Sequence, residues 1–315
     1  MRTSRHVYRG LAGMYLLHDP AQDALALPAG EYDVPLVLQD RIFDVDGQLV
    51  YDDSAGSGLL GDVGLVNGAA WPRLRVEARR YRFRVLAAAN SRAYLLGLAG
   101  GRPFTVVASD SGLLERPVHT RTLLVANAER YDVVIDFSQV PVGSTLELQD
   151  QAQVGRGRAL LRFDVVRSRG DDSRVPARLC DLAPLAPAHR PADRVWRFGR
   201  DASGTFVING RAYDVGRVDA RPRLGSTQVW EFRTVGAGFF HPVHPHLVSF
   251  QVLSRGGRPP APYERGRKDT VFVGDSQVVR VAARFGPHPG RYVMHCHNLV
   301  HEDHSMMTQF EVVTA

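Results

Sequence analysis

The chain has 315 residues, of which 44% are hydrophobic and 23% charged, a composition normal for a globular protein of about two domains, which excludes wholesale disorder. No apolar run reaches the length of a membrane span, and the N-terminus lacks the apolar segment of a signal peptide. The formal net charge is +6, but Lys268 is the only lysine and the arginines are spread without a block, so the charge does not indicate a nucleic-acid partner.

The predicted elements are strands. In chain order, short β-branched or alternating runs cover residues 34–39, 80–86, 131–136, 228–233 and 277–281, and clusters of Gly, Pro and Asp separate them. No long amphipathic helix stands out. The pattern predicts an all-β fold of sandwiches with Greek-key connections.

A weak internal repeat divides the chain. Residues 64–68, which contain Asn67, are echoed by residues 205–210, which contain Asn209, at an offset of roughly 140 to 150 residues. Residues 167–191 are first polar and then rich in Pro and Ala, which is typical of a linker. We therefore expect two related sandwiches in tandem.

Candidate metal ligands are concentrated in the second repeat. In chain order they are His241, His244, His246, His295, Cys296, His297, His301 and Met306. The first repeat has no histidine where the second has its first three, and it has Leu148, Gln149 and Asp150 where the second has His-Cys-His. The two repeats are expected to share one fold, and only the second carries candidate metal ligands. The first repeat is therefore structural, or it positions groups other than a metal.

The His-Cys-His unit predicts two metal sites. Side chains alternate along a strand, so His295 and His297 point to one face and Cys296 to the other. One strand can then serve two sites back to back, with the covalent path between them running through its backbone.

The donor set favours copper. A cysteine with two histidines and a weak methionine donor is the ligand set of a blue-copper site. Cys296, His301 and Met306 have the spacing of a loop that folds over one metal, and His241 supplies the distant imidazole. Zinc is the alternative, but four ligands satisfy zinc and leave the methionine unexplained.

These motifs resemble those of the multicopper oxidases, most of all the branch of bacterial spore-coat laccases and bilirubin oxidases. The similarity lies in His-Pro-x-His-x-His from His241 and in His-Cys-His-x3-His-Glu-Asp-x2-Met-Met from His295. Other matching segments are residues 90–92, 129–132, 268–271 and 290–293, and residues 7–13 and 17–20 resemble the last strand of the family's first domain.

The resemblance implies an all-β fold of two tandem cupredoxin-like Greek-key β-sandwiches plus a remnant strand of a preceding one. We expect the remnant of the first domain in residues 1–30 and a second domain without copper ligands in residues 31–166. A linker in residues 167–191 and a copper-binding third domain in residues 192–315 follow.

The resemblance also implies a role for each ligand. The type 1 copper ligands are His241, Cys296, His301 and Met306. The type 2 ligand is His244, and the type 3 ligands are His246, His295 and His297. Glu302 matches an acid that helps to move protons during oxygen reduction.

Members of the family oxidise a small-molecule reducing substrate one electron at a time at type 1 copper and reduce O2 to water at a trinuclear cluster. That cluster uses eight imidazoles, and the four that come from two His-x-His motifs of the first domain are not in this sequence. We therefore expect a complete type 1 site, a partial type 2/3 cluster and no oxygen reduction by this chain alone, with the rest supplied by a missing first domain or a partner subunit. The alternatives are a type 1 copper electron-transfer or copper-binding module and an inactive truncated remnant. Family members are often exported, periplasmic or part of the spore coat, and the sequence itself predicts neither the compartment nor the reducing substrate.

Overall fold

Strands dominate the structure. The computed structural model describes residues 2–54, 56–236 and 238–314, and strands build four sheets within them. Each of the five runs predicted as strands lies within or overlaps a strand, which confirms the all-β prediction. Their Val, Phe, Tyr and Trp side chains suit a pleated surface that is buried on one face.

The first two sheets form the N-terminal sandwich. Its strands are β1 (Asp33–Arg41), β2 (Val63–Val66), β3 (Ala69–Ala70), β4 (Arg73–Ala78), β5 (Arg80–Ala87), β6 (Tyr94–Leu98), β7 (Phe104–Ser109), β8 (Gly112–Thr120), β9 (Thr122–Val125), β10 (Arg130–Asp136), β11 (Thr145–Asp150) and β12 (Ala159–Ser168). One sheet has the order β3-β2-β1-β5-β10-β7-β8 and the other β4-β12-β11-β6-β9. Between them lies an aliphatic and aromatic core that includes Phe83, Phe137 and Phe163.

The other two sheets form the C-terminal sandwich. Its strands are β13 (Arg194–Arg200), β14 (Phe206–Ile208), β15 (Thr227–Thr234), β16 (His241–Pro245), β17 (Phe250–Arg255), β18 (Val271–Val273), β19 (Val278–Arg284), β20 (Gly290–Cys296) and β21 (Met307–Val312). The sheet orders are β14-β13-β15-β19-β17 and β18-β16-β20-β21. A second core, separate from the first, contains Trp196, Trp230, Cys296 and Met306.

The two sandwiches repeat one frame, as the sequence predicts. Asn67 and Asn209 both adopt a left-handed conformation, with φ of 51° and 53°, and the side-chain oxygen of each accepts a hydrogen bond from the backbone N–H of Val37 or Arg197, both at 2.8 Å. Asparagine tolerates positive φ better than most residues do. The same residue therefore makes the same turn in both halves.

A buried group of charged side chains joins the sandwiches. The ammonium of Lys268 lies 3.0 Å from Asp110 and 3.3 Å from Glu129, and it donates to the hydroxyl of Tyr131 at 3.1 Å. We call these four residues the buried charge cluster. Beside it, the guanidinium of Arg130 makes two hydrogen bonds of 2.6 Å to the carboxylate of Asp269.

The N-terminal segment corrects one part of the prediction. The strand expected within residues 1–30 is absent from the described residues 2–30, which contain the short helices α1 (Thr3–Tyr8) and α2 (Pro20–Asp23). The carboxylate of Asp303 accepts from the backbone N–H of Thr3 at 3.0 Å and of Ser4 at 2.9 Å. The first N–H groups of a helix have no partner within the helix, so a carboxylate that accepts from them stabilises α1.

The remaining helices are short. The third α-helix is α3 (Leu299–Asp303), and single 3-10 turns lie at Gly30–Tyr32, Ala99–Gly101, Phe137–Gln139, Gly155–Arg158 and Pro262–Glu264. Among the described residues, no helix combines the length and apolarity needed to cross a membrane. The predicted domain boundaries stay predictions.

Candidate metal centre

One cysteine and two histidines converge in the core of the C-terminal sandwich. Strands β16 and β20 pair so that Val243 lies opposite Cys296, which brings the start of β16 to the end of β20. The Sγ atom of Cys296 lies 3.4 Å from Nδ1 of His241 and 3.7 Å from Nδ1 of His301, and the two nitrogens are 3.2 Å apart. We call these three residues the cysteine cluster.

The loop after β20 fixes the third member. Asn298 begins α3 by accepting a hydrogen bond from the N–H of Val300, and its own backbone N–H donates to Sγ of Cys296 at 3.4 Å. The Nε2 atom of His301 donates to the backbone oxygen of Ser57 at 3.1 Å. A carbonyl oxygen only accepts, so the tautomer that makes this bond carries its proton on Nε2 and its lone pair on Nδ1, which faces the cysteine. The amide Nδ2 of Asn298 lies 3.1 Å from the same Nε2 atom.

Aromatic packing restricts the same ring. The imidazole of His301 stacks on Phe206 with a centroid separation of 3.9 Å, and its edge also contacts Phe239. The guanidinium of Arg200 lies over both phenylalanine rings. Sequence reasoning missed Asn298, Ser57 and Phe206. Asn298 carries a readable signal, because asparagine before a short apolar run is a common N-cap.

Met306 is buried beside the cysteine cluster. The backbone N–H of Cys296 donates to the oxygen of Met306 at 3.1 Å, and both side chains are fully buried in the same core. The loop thus returns Met306 to the strand that carries the cysteine. Its role as a weak donor stays a prediction.

Burial keeps the three side chains of the cysteine cluster uncharged. Burial lowers the pKa of His241 to about 4, and burial together with neighbouring His241 lowers the pKa of His301 to about 3. Both rings are therefore neutral at neutral pH, with lone pairs available. Burial raises the pKa of the Cys296 thiol above its ordinary value, so the thiol keeps its proton until a cation replaces it.

The donor set fits a soft metal ion. Ligand atoms that lie about 2.0–2.3 Å from a shared ion in a roughly trigonal plane are about 3.5 Å apart, and the three separations of the cysteine cluster are 3.4, 3.7 and 3.2 Å. Thiolate and imidazole together suit copper.

Four further imidazoles lie on the other side of β20. His244, His246 and His295 bring their ligand atoms within 4.8 Å of one another, and the ring of His297 lies 5.3 Å from that of His295 between centroids. We call these four residues the histidine cluster. Strand alternation placed Cys296 and His295 in different groups, and that prediction is confirmed.

Hydrogen bonds aim the rings of the histidine cluster. Nδ1 of His244 donates to the backbone oxygen of Asp269 at 2.7 Å, and Nδ1 of His295 lies 3.0 Å from the backbone oxygen of Cys296. In each ring this contact leaves Nε2 as the available ligand. The Nε2 atoms of His295 and His246 are only 3.2 Å apart.

An orphaned nitrogen also points to an absent partner. Nδ1 of His297 is buried and has no hydrogen-bond partner among the described residues, and a buried unpaired nitrogen is costly. Burial, and then the neighbouring histidines, lower the pKa of His297 well below its ordinary value. A neutral ring with a buried lone pair fits a metal ligand.

Glu302 lies against the histidine cluster. Its Oε2 atom is 3.2 Å from Nδ1 of His295, and both side chains are nearly buried. Sequence reasoning gave no role to Asp269, although it lies in one of the matched segments. It holds His244 through its backbone oxygen, a contact that residue type does not reveal.

Comparisons with known proteins agree with this site. Family models described as multicopper oxidase match residues 21–144 and 186–315. The chain is 42% identical to a bilirubin oxidase of Albifimbria verrucaria, covering 98% of this chain and 58% of that protein. It is 37% identical to a laccase of Bacillus subtilis, covering 98% of this chain and 68% of that protein.

A solved structure matches the whole arrangement. The crystal structure of a multicopper oxidase from the hyperthermophile Aquifex aeolicus superposes with a TM-score of 0.91 at 33% identity, covering 99% of this chain and 73% of that one. The chain thus spans between 58% and 73% of the length of these relatives. With family models over both sandwiches and relatives of this identity, the chain belongs to the multicopper oxidase family.

Proposed function

We propose that this chain is the type 1 copper part of a laccase-like or bilirubin oxidase-like multicopper oxidase. In this proposal, type 1 copper would be held by His241, Cys296 and His301, with Met306 as a weak fourth donor. The single observation that carries the proposal is the convergence of one thiol and two Nδ1 atoms within 3.2 to 3.7 Å in a buried core. Bound copper would supply one-electron redox chemistry, and a small-molecule reducing substrate would supply the electrons.

The histidine cluster is proposed as part of an oxygen-reducing centre. His244 is the type 2 ligand, and His246, His295 and His297 are type 3 ligands. Because Cys296 stands between His295 and His297 in the chain, the backbone of β20 links the two clusters directly. The remaining imidazoles come from a first domain or partner subunit outside these residues.

Glu302 is proposed to handle protons. Its Oε2 atom lies 3.2 Å from Nδ1 of His295, so it can hold a proton at the edge of the histidine cluster without being a ligand. Removal of its charge, as in Glu302→Gln, should leave metal binding intact and slow only the oxygen-reducing step.

One copper titration distinguishes this proposal from its alternatives. The copper-free chain is titrated with cuprous and then cupric ions, and both the copper per chain and the visible absorption are measured beside Cys296→Ser and His246→Ala. The proposal expects an intense blue thiolate band that Cys296→Ser abolishes and His246→Ala leaves intact. Absence of copper uptake favours an inactive protein, and a copper-loaded chain that lacks the blue band would refute the type 1 assignment.

Oxygen consumption separates the oxidase from an electron-transfer module. A blue chain that is reduced by a phenol or an aromatic amine, yet consumes no oxygen even when the rest of the oxidase is supplied, would favour the electron-transfer alternative. The coding region upstream of Met1, read in frame for two His-x-His motifs, identifies the source of the other imidazoles.

A further inference from the structure

One hydroxyl group of the N-terminal sandwich binds two segments that meet at His301. It belongs to Ser91, which lies in the loop between β5 and β6 and is 3% exposed. Its Oγ atom accepts from the backbone N–H of Leu59 at 2.9 Å and donates to Oδ1 of Asn298 at 2.8 Å. A hydroxyl has a single proton and an N–H can only donate, so both roles of this oxygen are fixed.

The first segment is the start of α3. Oδ1 of Asn298 accepts from Ser91 and also from the backbone N–H of Val300 at 3.2 Å, which uses both of its lone pairs. The amide nitrogen of Asn298 is therefore turned the other way, and it lies 3.1 Å from Nε2 of His301. The hydroxyl of Ser91 thus helps to fix which end of this amide faces the ring.

The second segment is residues 57–59. The backbone oxygen of Ser57 lies 3.1 Å from the same Nε2 atom of His301, and the N–H of Leu59 is bound to Ser91. Between them, Gly58 has a φ of 137°, and a Cβ added there would come within 3.1 Å of Oγ of Ser91. The segment therefore packs directly on Ser91, at a place where both the backbone conformation and the space require glycine.

The two segments make opposite demands on Nε2 of His301. The oxygen of Ser57 can only accept a hydrogen bond, and the amide nitrogen of Asn298 can only donate one. A neutral ring with its proton on Nε2 satisfies Ser57 and keeps its lone pair on Nδ1, towards Cys296. The other tautomer satisfies Asn298 and carries its proton on Nδ1. The balance between the tautomers therefore depends on how firmly each segment is held.

We propose that Ser91 is a positioning residue for the type 1 site, because its hydroxyl holds the oxygen of Ser57 against His301 and so favours the tautomer whose Nδ1 lone pair faces Cys296. The inference rests on the proposed function, since that lone pair is the one that copper would use. In metal sites generally, the hydrogen bond at the second nitrogen of a ligating histidine fixes the tautomer and the orientation of the ring. Ser91 acts one contact further away, through residues 57–59.

The effect of Ser91→Ala has a defined sign. Without the hydroxyl, Oδ1 of Asn298 keeps the N–H of Val300, so the amide keeps its orientation. The N–H of Leu59 loses the acceptor that holds it at 2.9 Å, so residues 57–59 are released and the contact of Ser57 weakens. The equilibrium should shift towards the tautomer protonated on Nδ1, and that proton must leave before the atom can bind a metal.

Nitrogen-15 NMR of the metal-free full chain, labelled at histidine, measures the tautomer at neutral pH. The signals of His301 are those that disappear in His301→Gln. The parent chain should carry the proton of this ring on Nε2, and Ser91→Ala should shift it towards Nδ1. An unchanged tautomer in Ser91→Ala, or a parent ring already protonated on Nδ1, would overturn the proposal.

Cuprous-ion affinity, measured by competition with a coloured chelator, is the second readout, and it concerns the site that Cys296→Ser removes. Ser91→Ala should weaken this affinity about tenfold, because loss of a group that orients a ligating histidine costs about 10- to 100-fold. Ser109→Ala is the matched control: Ser109 is 5% exposed, and its hydroxyl donates to the backbone oxygen of Arg267 at 3.0 Å. An equal loss of affinity in the two variants would refute a role specific to the type 1 site.

The two readouts separate this inference from the proposed function. A parent chain that binds no copper through Cys296 would refute the proposed function, and the NMR comparison would still decide whether Ser91 orients His301. If Ser91→Ala does not fold, Gly58→Ala replaces it, because the added Cβ would push residues 57–59 away from Ser91. An unchanged tautomer in that variant would equally refute the proposal.

Discussion

Substitution of Lys268 by methionine should destabilise the protein through the carboxylates that it leaves behind. The Lys268 and Asp110 side chains are fully buried, and that of Glu129 is 2% exposed. Burial by itself lowers the pKa of Lys268, but Asp110 and Glu129 outweigh it and hold the pKa above its ordinary value. Methionine keeps the apolar stem and removes the charge together with the hydrogen bond to Tyr131.

The magnitude follows from what remains around the carboxylates. Removal of one partner of a buried ion pair costs about 3–5 kcal/mol because the other charge is left uncompensated. Here Asp110 keeps hydrogen bonds from the N–H groups of Arg130, Asp269 and Thr270, so the lower end applies. For a chain of 315 residues that unfolds as one unit, a loss of about 3 kcal/mol corresponds to a fall of roughly 4–5 °C in melting temperature.

The pH dependence has a defined sign. Burial raises the pKa of Glu129, and loss of the ammonium should raise it further. A carboxyl whose pKa is higher in the folded than in the unfolded state binds its proton more tightly when folded. The deficit of Lys268→Met is therefore full above the folded-state pKa and shrinks as the pH falls through it.

Chemical unfolding followed by tryptophan fluorescence measures the effect, with Arg221→Met as the matched control. Arg221 pairs with Glu311 on the surface, and loss of such a pair costs about 0–1 kcal/mol. The double variant Lys268→Met/Glu129→Gln should recover part of the loss. A Lys268→Met variant no less stable than the control, or a double variant less stable than the single one, would refute the reasoning.

Three further predictions concern single side chains. Cys296→Ser should abolish the blue thiolate absorption of the copper-loaded chain, and a persisting band would overturn the type 1 assignment. Met306→Leu should raise the type 1 reduction potential, because the axial donor tunes that couple; an unchanged or lower potential in redox titration contradicts it. Asp303→Ala should remove the cap of α1 and lower the stability of that helix by about 1 kcal/mol. Proteolysis after Arg2 or Arg5 should then be faster, and a rate equal to that of the parent chain would show that the cap is unimportant.

The sequence predicts this fold well because its signals are local. Strand runs, the repeated Asn-Gly turns and the His-Cys-His unit each depend on neighbouring residues, and the structure confirms the sheets and the separation of Cys296 from His295. The prediction of an N-terminal strand was wrong, and the contact that supports the helix found at Thr3–Tyr8, from Asp303 to its first N–H groups, joins residues about 300 positions apart. Such a contact leaves no trace in local periodicity.

The residues that orient the histidine rings could not be predicted from the sequence either. Ser57 and Asp269 act through backbone oxygens, and any residue type carries such an oxygen. Phe206 reads from the sequence as an ordinary core residue, and only the structure shows its ring against His301. Residue type and strand alternation thus predict which side chains could bind a metal and on which side of the strand they lie, whereas the contacts that orient each ring could not be predicted.

The N-terminal sandwich, although it carries none of the proposed ligands, helps to set the geometry of both clusters. Ser57 precedes β2 and accepts from His301, and Arg130 of β10 grips Asp269, whose backbone oxygen accepts from His244. Ligand atoms must be held to within about 0.5 Å for a metal site to work. We infer that the directional ion pairs of Lys268 with Asp110 and Glu129 favour one arrangement of the two sandwiches over its neighbours. Lys268, the only lysine of the chain, is fully buried and binds two carboxylates of the N-terminal sandwich, so it fixes the segment that carries Asp269 against that sandwich.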